Sequence, residues 1–188
     1  MINRLKRTAL ILALIFLLLC GSAVALMFHR TETIRNDLEP ARVSCAVYEK
    51  ADGVQYTQGE HKVSTKSSIQ VQNTGNIDAY LRVRLVSYWV NENGEIGPVS
   101  SQAPTVQLAS GWIAGSDNTF YFQTPVKSTG YTGEMLAGDI TLGTKTVGKT
   151  TYYQVVEVFA DAIQSEPSDA AASSWKVTIS NGKITNAN

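Results

Sequence analysis

The chain has 188 residues, of which 16 are Lys or Arg and 16 are Asp or Glu, with 44% hydrophobic and 17% charged residues. That balance supports one folded domain and excludes intrinsic disorder. Arg4, Lys6 and Arg7 precede every acidic residue, so a chain without its first 25 residues keeps 13 basic against 16 acidic residues, a net of −3 that does not suit a nucleic-acid-binding surface.

From Thr8 to Phe28 there is no charge, and the three basic residues lie just before it. This is the layout of an export signal with a cytoplasmic amino terminus. Ala23 and Ala25 place small side chains at the two positions a signal peptidase reads, so 1–25 is expected to be a signal peptide cleaved after Ala25. The alternative is an uncleaved anchor, because a run of about 20 apolar residues can span a bilayer. A third reading comes from Leu17-Leu18-Leu19-Cys20, which has the Leu and Cys of a lipoprotein box but a Leu where that box needs a small residue. Once the leader is removed, Cys45 has no internal disulfide partner and reads as a small buried hydrophobe, with a reactive thiol as the alternative.

The next stretch, 26–42, reads as an extended N-terminal segment ahead of a β domain at 43–188. Its polar residues cannot hold a strand by burial alone, yet Thr31, Thr33 and Ile34 suit an extended chain and Leu38 offers a further anchor. These four are the candidate assembly residues, through which the segment would add to an exposed sheet edge of a neighbouring copy. The alternative is a flexible spacer.

Val43 to Glu49 alternates as a strand, and so does Lys62 to Gln72 with Val63, Ile69 and Val71. In the central stretch Ile69–Asn91, Asn73-Thr74-Gly75-Asn76 reads as the turn joining two strands. In the second of these Leu81, Val83 and Leu85 share the core face, while Tyr80, Arg82 and Arg84 share the opposite, solvated face. Asn91 to Ser110, rich in Asn, Gly, Pro, Ser and Gln, reads as a long surface loop. Trp112-Ile113 and Phe120-Tyr121-Phe122 are short aromatic strands around a Gly-Ser-Asp-Asn turn. Ile140 and Leu142 alternate, and Tyr152 to Ile163, apolar on both faces, reads as a strand in the middle of a sheet. Ser168 to Ser174 supplies a short helix with Ser168 as its cap. Asn181-Gly182 then turns a closing hairpin between Trp175 and Thr185. Eight to ten strands of this kind predict an all-β fold, a two-sheet antiparallel sandwich that is jelly-roll-like, with one short helix near the C-terminus.

Three places together resemble the TasA and camelysin family of exported bacterial biofilm fibre proteins, whose leaders are of the SipW-processed type. The first is the junction Gly21-Ser22, Ala25, Phe28, Thr31-Glu32-Thr33 and Asn36. The second is Val71-Gln72-Asn73-Thr74-Gly75 running into Ala79-Tyr80-Leu81-Arg82-Val83. The third is Tyr153 through Ile163-Gln164, followed by an Ala-rich turn and Trp175. Arg30 departs from the Asp common in the family, and Ala25 lies one residue farther from Phe28 than usual. The resemblance implies a fibre-forming or fibre-associated subunit at the bacterial surface or in the extracellular matrix. It would self-associate or join related matrix subunits, and would meet the membrane only through its leader.

Some proteins resembling camelysin are classed as metallopeptidases, but His29 and His61 are the only histidines and stand 32 residues apart without an HExxH pair. No G-x-S-x-G elbow is present. The expectation is therefore no enzyme, no catalytic or metal-binding residue and no cofactor. Asn91-Glu92-Asn93-Gly94-Glu95 has the oxygen-rich composition of a weak calcium loop but reads more simply as a turn. Trp89, Trp112 and Trp175 could form a sugar-stacking platform, which gives the alternative function: a monomeric exported sandwich that binds a glycan or cell-wall polymer. Core packing is the simpler use of such aromatics.

Overall fold

The computed structural model describes residues 39–51, 54–55, 63–97 and 103–187. The chain divides after Pro40, and the unit Ala41–Asn188 carries every element named here. Among the described residues there are twelve strands and one helix: β1 Cys45–Ala51, β2 Val54–Gln55, β3 Thr65–Lys66, β4 Ser68–Asn73, β5 Ala79–Val90, β6 Trp112–Ala114, β7 Thr119–Phe122, β8 Ile140–Thr141, β9 Thr144–Val147, β10 Thr150–Gln164, α1 Asp169–Trp175, β11 Val177–Ser180 and β12 Lys183–Ala187.

Two layers face each other. One is the antiparallel sheet β6-β7-β5-β10-β9, in which β5 and β10 pair over twelve residues from Ala79↔Gln164 to Val90↔Tyr153. The other is β2-β1-β4, extended by two irregular segments. Residues 130–135 run along β4, with the Thr132 N–H donating to Val71 O at 2.9 Å and the Met135 N–H to Ile69 O at 2.9 Å. Residues 107–109 lie beyond them, since the Ala109 N–H donates to Met135 O. Between the layers sit Ile69 and Val71 of β4, Leu81, Val83 and Leu85 of β5, and Trp112, Phe120, Met135, Ile140 and Val156. The chain crosses repeatedly between sheets, so the expected antiparallel, jelly-roll-like sandwich is the observed fold.

The alternation in β5 sorts as expected, with Leu81 and Val83 fully buried in the core. Its other face is not left to solvent. The C-terminal segment folds over it: Ala171 and Trp175, four apart on one face of α1, and Val177 and Ile184 of the β11–β12 hairpin cover Tyr80 and Tyr121. Arg82 lies over the Trp175 ring at 4.7 Å and pairs with Asp161 at 2.9 Å. Of the three residues read as solvated, only Arg84 is exposed.

Four local expectations need correction. Asn73-Thr74-Gly75-Asn76 does not close a hairpin, because β4 and β5 belong to different sheets and the segment is the corner between them. The buried Asn73 amide holds that corner: Nδ2 donates to Ile77 O at 2.8 Å and Val126 O at 2.9 Å, while Oδ1 accepts the Gly75 N–H at 2.9 Å. A Cβ on Gly75 would come within 2.3 Å of Arg42 O, so the position has no room for one. The stretch read as a loop to Ser110 contributes Val106 and Leu108 to the core. The helix begins at Asp169 without a side-chain cap from Ser168, and it takes in Trp175, with Lys176 in the left-handed C-cap conformation. Finally, β10 lies between β5 and β9 in strand order, but β9 pairs with it only at 150–153 and β5 only at 153–164, so the two ladders overlap at Tyr153 alone.

The turn expectations hold elsewhere. Asp117 and Asn118 between β6 and β7, and Asn181 and Gly182 between β11 and β12, all adopt positive φ, as tight hairpins require of Asn, Asp and Gly.

Candidate functional site

Along one side of the sandwich β1 and β10 pack against each other with no ladder between them among the described residues; β2 pairs with β1 only at Lys50 and Ala51 and β9 with β10 only at 150–153, so the rest of each strand forms an open border of its layer there. The direction of their free backbone groups follows from neighbouring hydrogen bonds. The Gln154 N–H donates to Gly143 on the β9 side and the Ser165 N–H to Asp78 on the β5 side. Strand alternation then turns the N–H and C=O of Val156, Val158, Ala160 and Ala162 toward the open side. On β1 the carbonyls of Ser44 and Lys50 are taken up on the β4 side, by Thr74 and Ser67. The backbone groups of Cys45, Val47 and Glu49 are thereby turned the other way.

The side chains along this seam are apolar but incompletely covered: Val158, Ala160 and Ala162 of β10 and Cys45 of β1 pack on the core while staying only half-buried. The rim is acidic. Burial pushes the Glu49 carboxyl up against the pull of Lys66, with a smaller push from Glu157. Burial, with Asp161 adding to it, likewise raises the Cys45 thiol, which disfavours the thiolate and with it the reactive-thiol reading. An edge with free backbone groups above half-covered apolar side chains can accept an added strand, whose main chain would satisfy the N–H and C=O groups while its side chains complete the cover.

The residues singled out from the sequence for processing and assembly, Ala23, Ala25, Thr31, Thr33, Ile34 and Leu38, lie outside the described residues, as do Cys20, His29 and His61. The three tryptophans are not brought together. Trp112 is 5% exposed in the core, its Nε1–H donating to Gly133 O at 3.2 Å. Trp175 is 8% exposed beneath Arg82, and Trp89 stands apart at the end of β5. Asn91 Oδ1 accepts the N–H groups of Asn93 and Glu95, each at 2.9 Å, so this segment is an ordinary turn locked by one amide. Among the described residues no three of His, Cys, Asp and Glu converge, and no helix is long and apolar enough to cross a membrane.

The open borders of β1 and β10 were missed in the sequence. Side-chain alternation reports which faces are covered, whereas a free edge is a property of backbone groups that every residue carries. Comparisons with protein-family models, curated proteins and solved structures return no match.

Proposed function

We propose that the chain is a non-enzymatic exported protein of the bacterial cell surface or biofilm matrix, a fibre-forming or fibre-associated subunit. The observation that carries this reading is the seam of β1 and β10. Among the described residues two neighbouring borders present unpaired backbone groups beside half-buried Val158, Ala160 and Ala162, a combination that monomeric sandwiches usually protect. The apolar leader with its basic start and the junction motifs agree with export, and the three places that together resemble the TasA and camelysin family support the fibre reading. A strand-addition contact between one copy and the next is head-to-tail and need not close, so it generates a filament.

The test uses protein beginning at Phe28 and an Ala160→Pro variant. Proline there removes an N–H on the open side and leaves the β5 ladder intact, a substitution that sheet borders tolerate. The intact protein should sediment as oligomers and form filaments visible by electron microscopy, whereas the variant, with an unchanged circular dichroism spectrum, should remain monomeric. A monomeric intact protein contradicts the fibre reading, and filaments from both forms remove the β10 border from it.

A further inference from the structure

A second feature lies away from the seam, where the interior of the sandwich changes character. Inward-facing partners on β5 and β10 run from Leu85 and Val158, through Ser87 and Val156, to Trp89 and Gln154. The apolar row thus ends in a hydroxyl, an indole and an amide. Beyond them is a cavity of about 540 Å³, wide open to solvent and lined by Trp89, Ala103, Pro104, Thr105, Asp139, Thr141 and Gln154. That volume is within the range of small-ligand sites, about 300–1,000 Å³.

The floor of the cavity is held rigidly. Gln154 Oε1 accepts the Gly143 N–H at 3.0 Å and its Nε2 donates to Ser87 Oγ at 3.0 Å, so the amide is fixed between two strands and a loop. Gly143 lies against the indole so closely that a Cβ there would meet Trp89 Cη2 at 3.2 Å. Polar groups remain without partners around this floor. The buried Trp89 Nε1–H has no hydrogen-bond acceptor. The side chains of Asp139, Thr105 and Thr141 make no hydrogen bond or ion pair among the described residues, and Asp139 and Thr141 are exposed.

The chemistry of these walls selects a ligand. Asp139 accepts hydrogen bonds only, the two threonine hydroxyls both donate and accept, and the indole offers an apolar π surface. Among the described residues no Lys or Arg lines the cavity, so a phosphate or carboxylate would face Asp139 without a compensating cation from them. Several hydroxyls around a C–H face, with no net charge, fit the set. We propose that the cavity beside Trp89 binds a neutral pyranose sugar, one or two units of a polysaccharide, independently of the assembly seam.

The proposal is tested with cellobiose, maltose, lactose and N,N′-diacetylchitobiose as probes, by tryptophan fluorescence and calorimetric titration of the whole exported chain. At least one disaccharide should give saturable binding that perturbs tryptophan emission. Asp139→Ala and Thr141→Val, both at exposed positions and expected to melt as the parent does, should each weaken that binding by about tenfold, the effect of losing one hydrogen bond to a ligand. Tyr48→Ala, on the outer face of the other layer and 40% exposed, should leave it unchanged. The proposal fails if no probe binds at millimolar concentration, or if Asp139→Ala and Thr141→Val bind as the parent does. Saturable binding of tetramethylammonium in place of the sugars would overturn it in favour of a cation site formed by Trp89 and Asp139.

Discussion

Lys66 and Glu49 form an ion pair inside the sandwich, with Lys66 Nζ 2.5 Å from Glu49 Oε2 and the lysine side chain only 1% exposed. Their positions explain the burial: β3 points Lys66 inward where it meets Glu49 on the inward face of β1, and each charge offsets part of the other's desolvation. Desolvation outweighs the attraction at Glu49, whose carboxyl is raised above its ordinary value. Such a pair specifies its partner more than it stabilises the fold.

Lys66→Met should therefore destabilise the domain by about 3 kcal/mol at neutral pH, because it leaves a buried carboxylate uncompensated. The sign of the pH dependence follows from the raised carboxyl. Protonation is favoured in the fold, so the stability linked to Glu49 is fully present below the ordinary glutamate range and is lost as pH rises through the raised value. Removing the lysine raises that value further. The deficit of the variant should shrink in thermal melts taken from pH 7 down to pH about 4. The double variant Glu49→Leu with Lys66→Met should melt at or above the parent.

Val83, with no exposed surface, is the second test. Val83→Asp buries an unpaired carboxylate and should cost more than about 4 kcal/mol, which prevents folding or export. Arg82→Ser, one residue away on the other face, loses the Asp161 pair and the stack on Trp175, for a cost of about 1 kcal/mol. Comparable melting temperatures for the two variants would show that the faces of β5 are misassigned.

Asn73 holds the corner between the layers through three hydrogen bonds from one buried side chain. Asn73→Ala should cost about 2 kcal/mol by stranding the Ile77 carbonyl and the Gly75 N–H, while Val126 O keeps the Ala79 N–H. Gln70→Ala, on the outward side of the same strand, should cost less than about 0.5 kcal/mol. Chemical denaturation of both variants measures the difference.

How far the sequence could be read follows from what side chains report. The alternation of Leu81, Val83 and Leu85 and of Ile69 and Val71, and the Asn181-Gly182 turn, each encode a local geometry that tertiary packing did not override. Asn73 looked like a turn former because the same amide serves a hairpin or a crossing between sheets, and only distant partners such as Val126 O decide which. Tyr152 to Ile163 looked central because Ile163 is covered by the C-terminal layer, and covered faces say nothing about covered borders. Trp89 has the same strand context in the sequence as Trp112, yet one lies at a cavity and the other in the core.

Processing is checked separately. The mature protein should begin between Leu26 and Phe28, given the small residues Ala23 and Ala25 after the apolar run. Amino-terminal sequencing of extracellular material reads this directly, and full-length chain recovered only from membranes would identify Thr8 to Phe28 as an anchor.

Assembly through an added strand is the central claim, and the segment that would supply the strand is the polar stretch with Thr31, Thr33, Ile34 and Leu38. The most direct measurement compares protein beginning at Phe28 with protein lacking Phe28 to Glu39, by sedimentation and electron microscopy under the same conditions. The account predicts filaments from the first and monomers from the second, with both melting as folded domains. The same filaments from both, or filaments from neither, would contradict it.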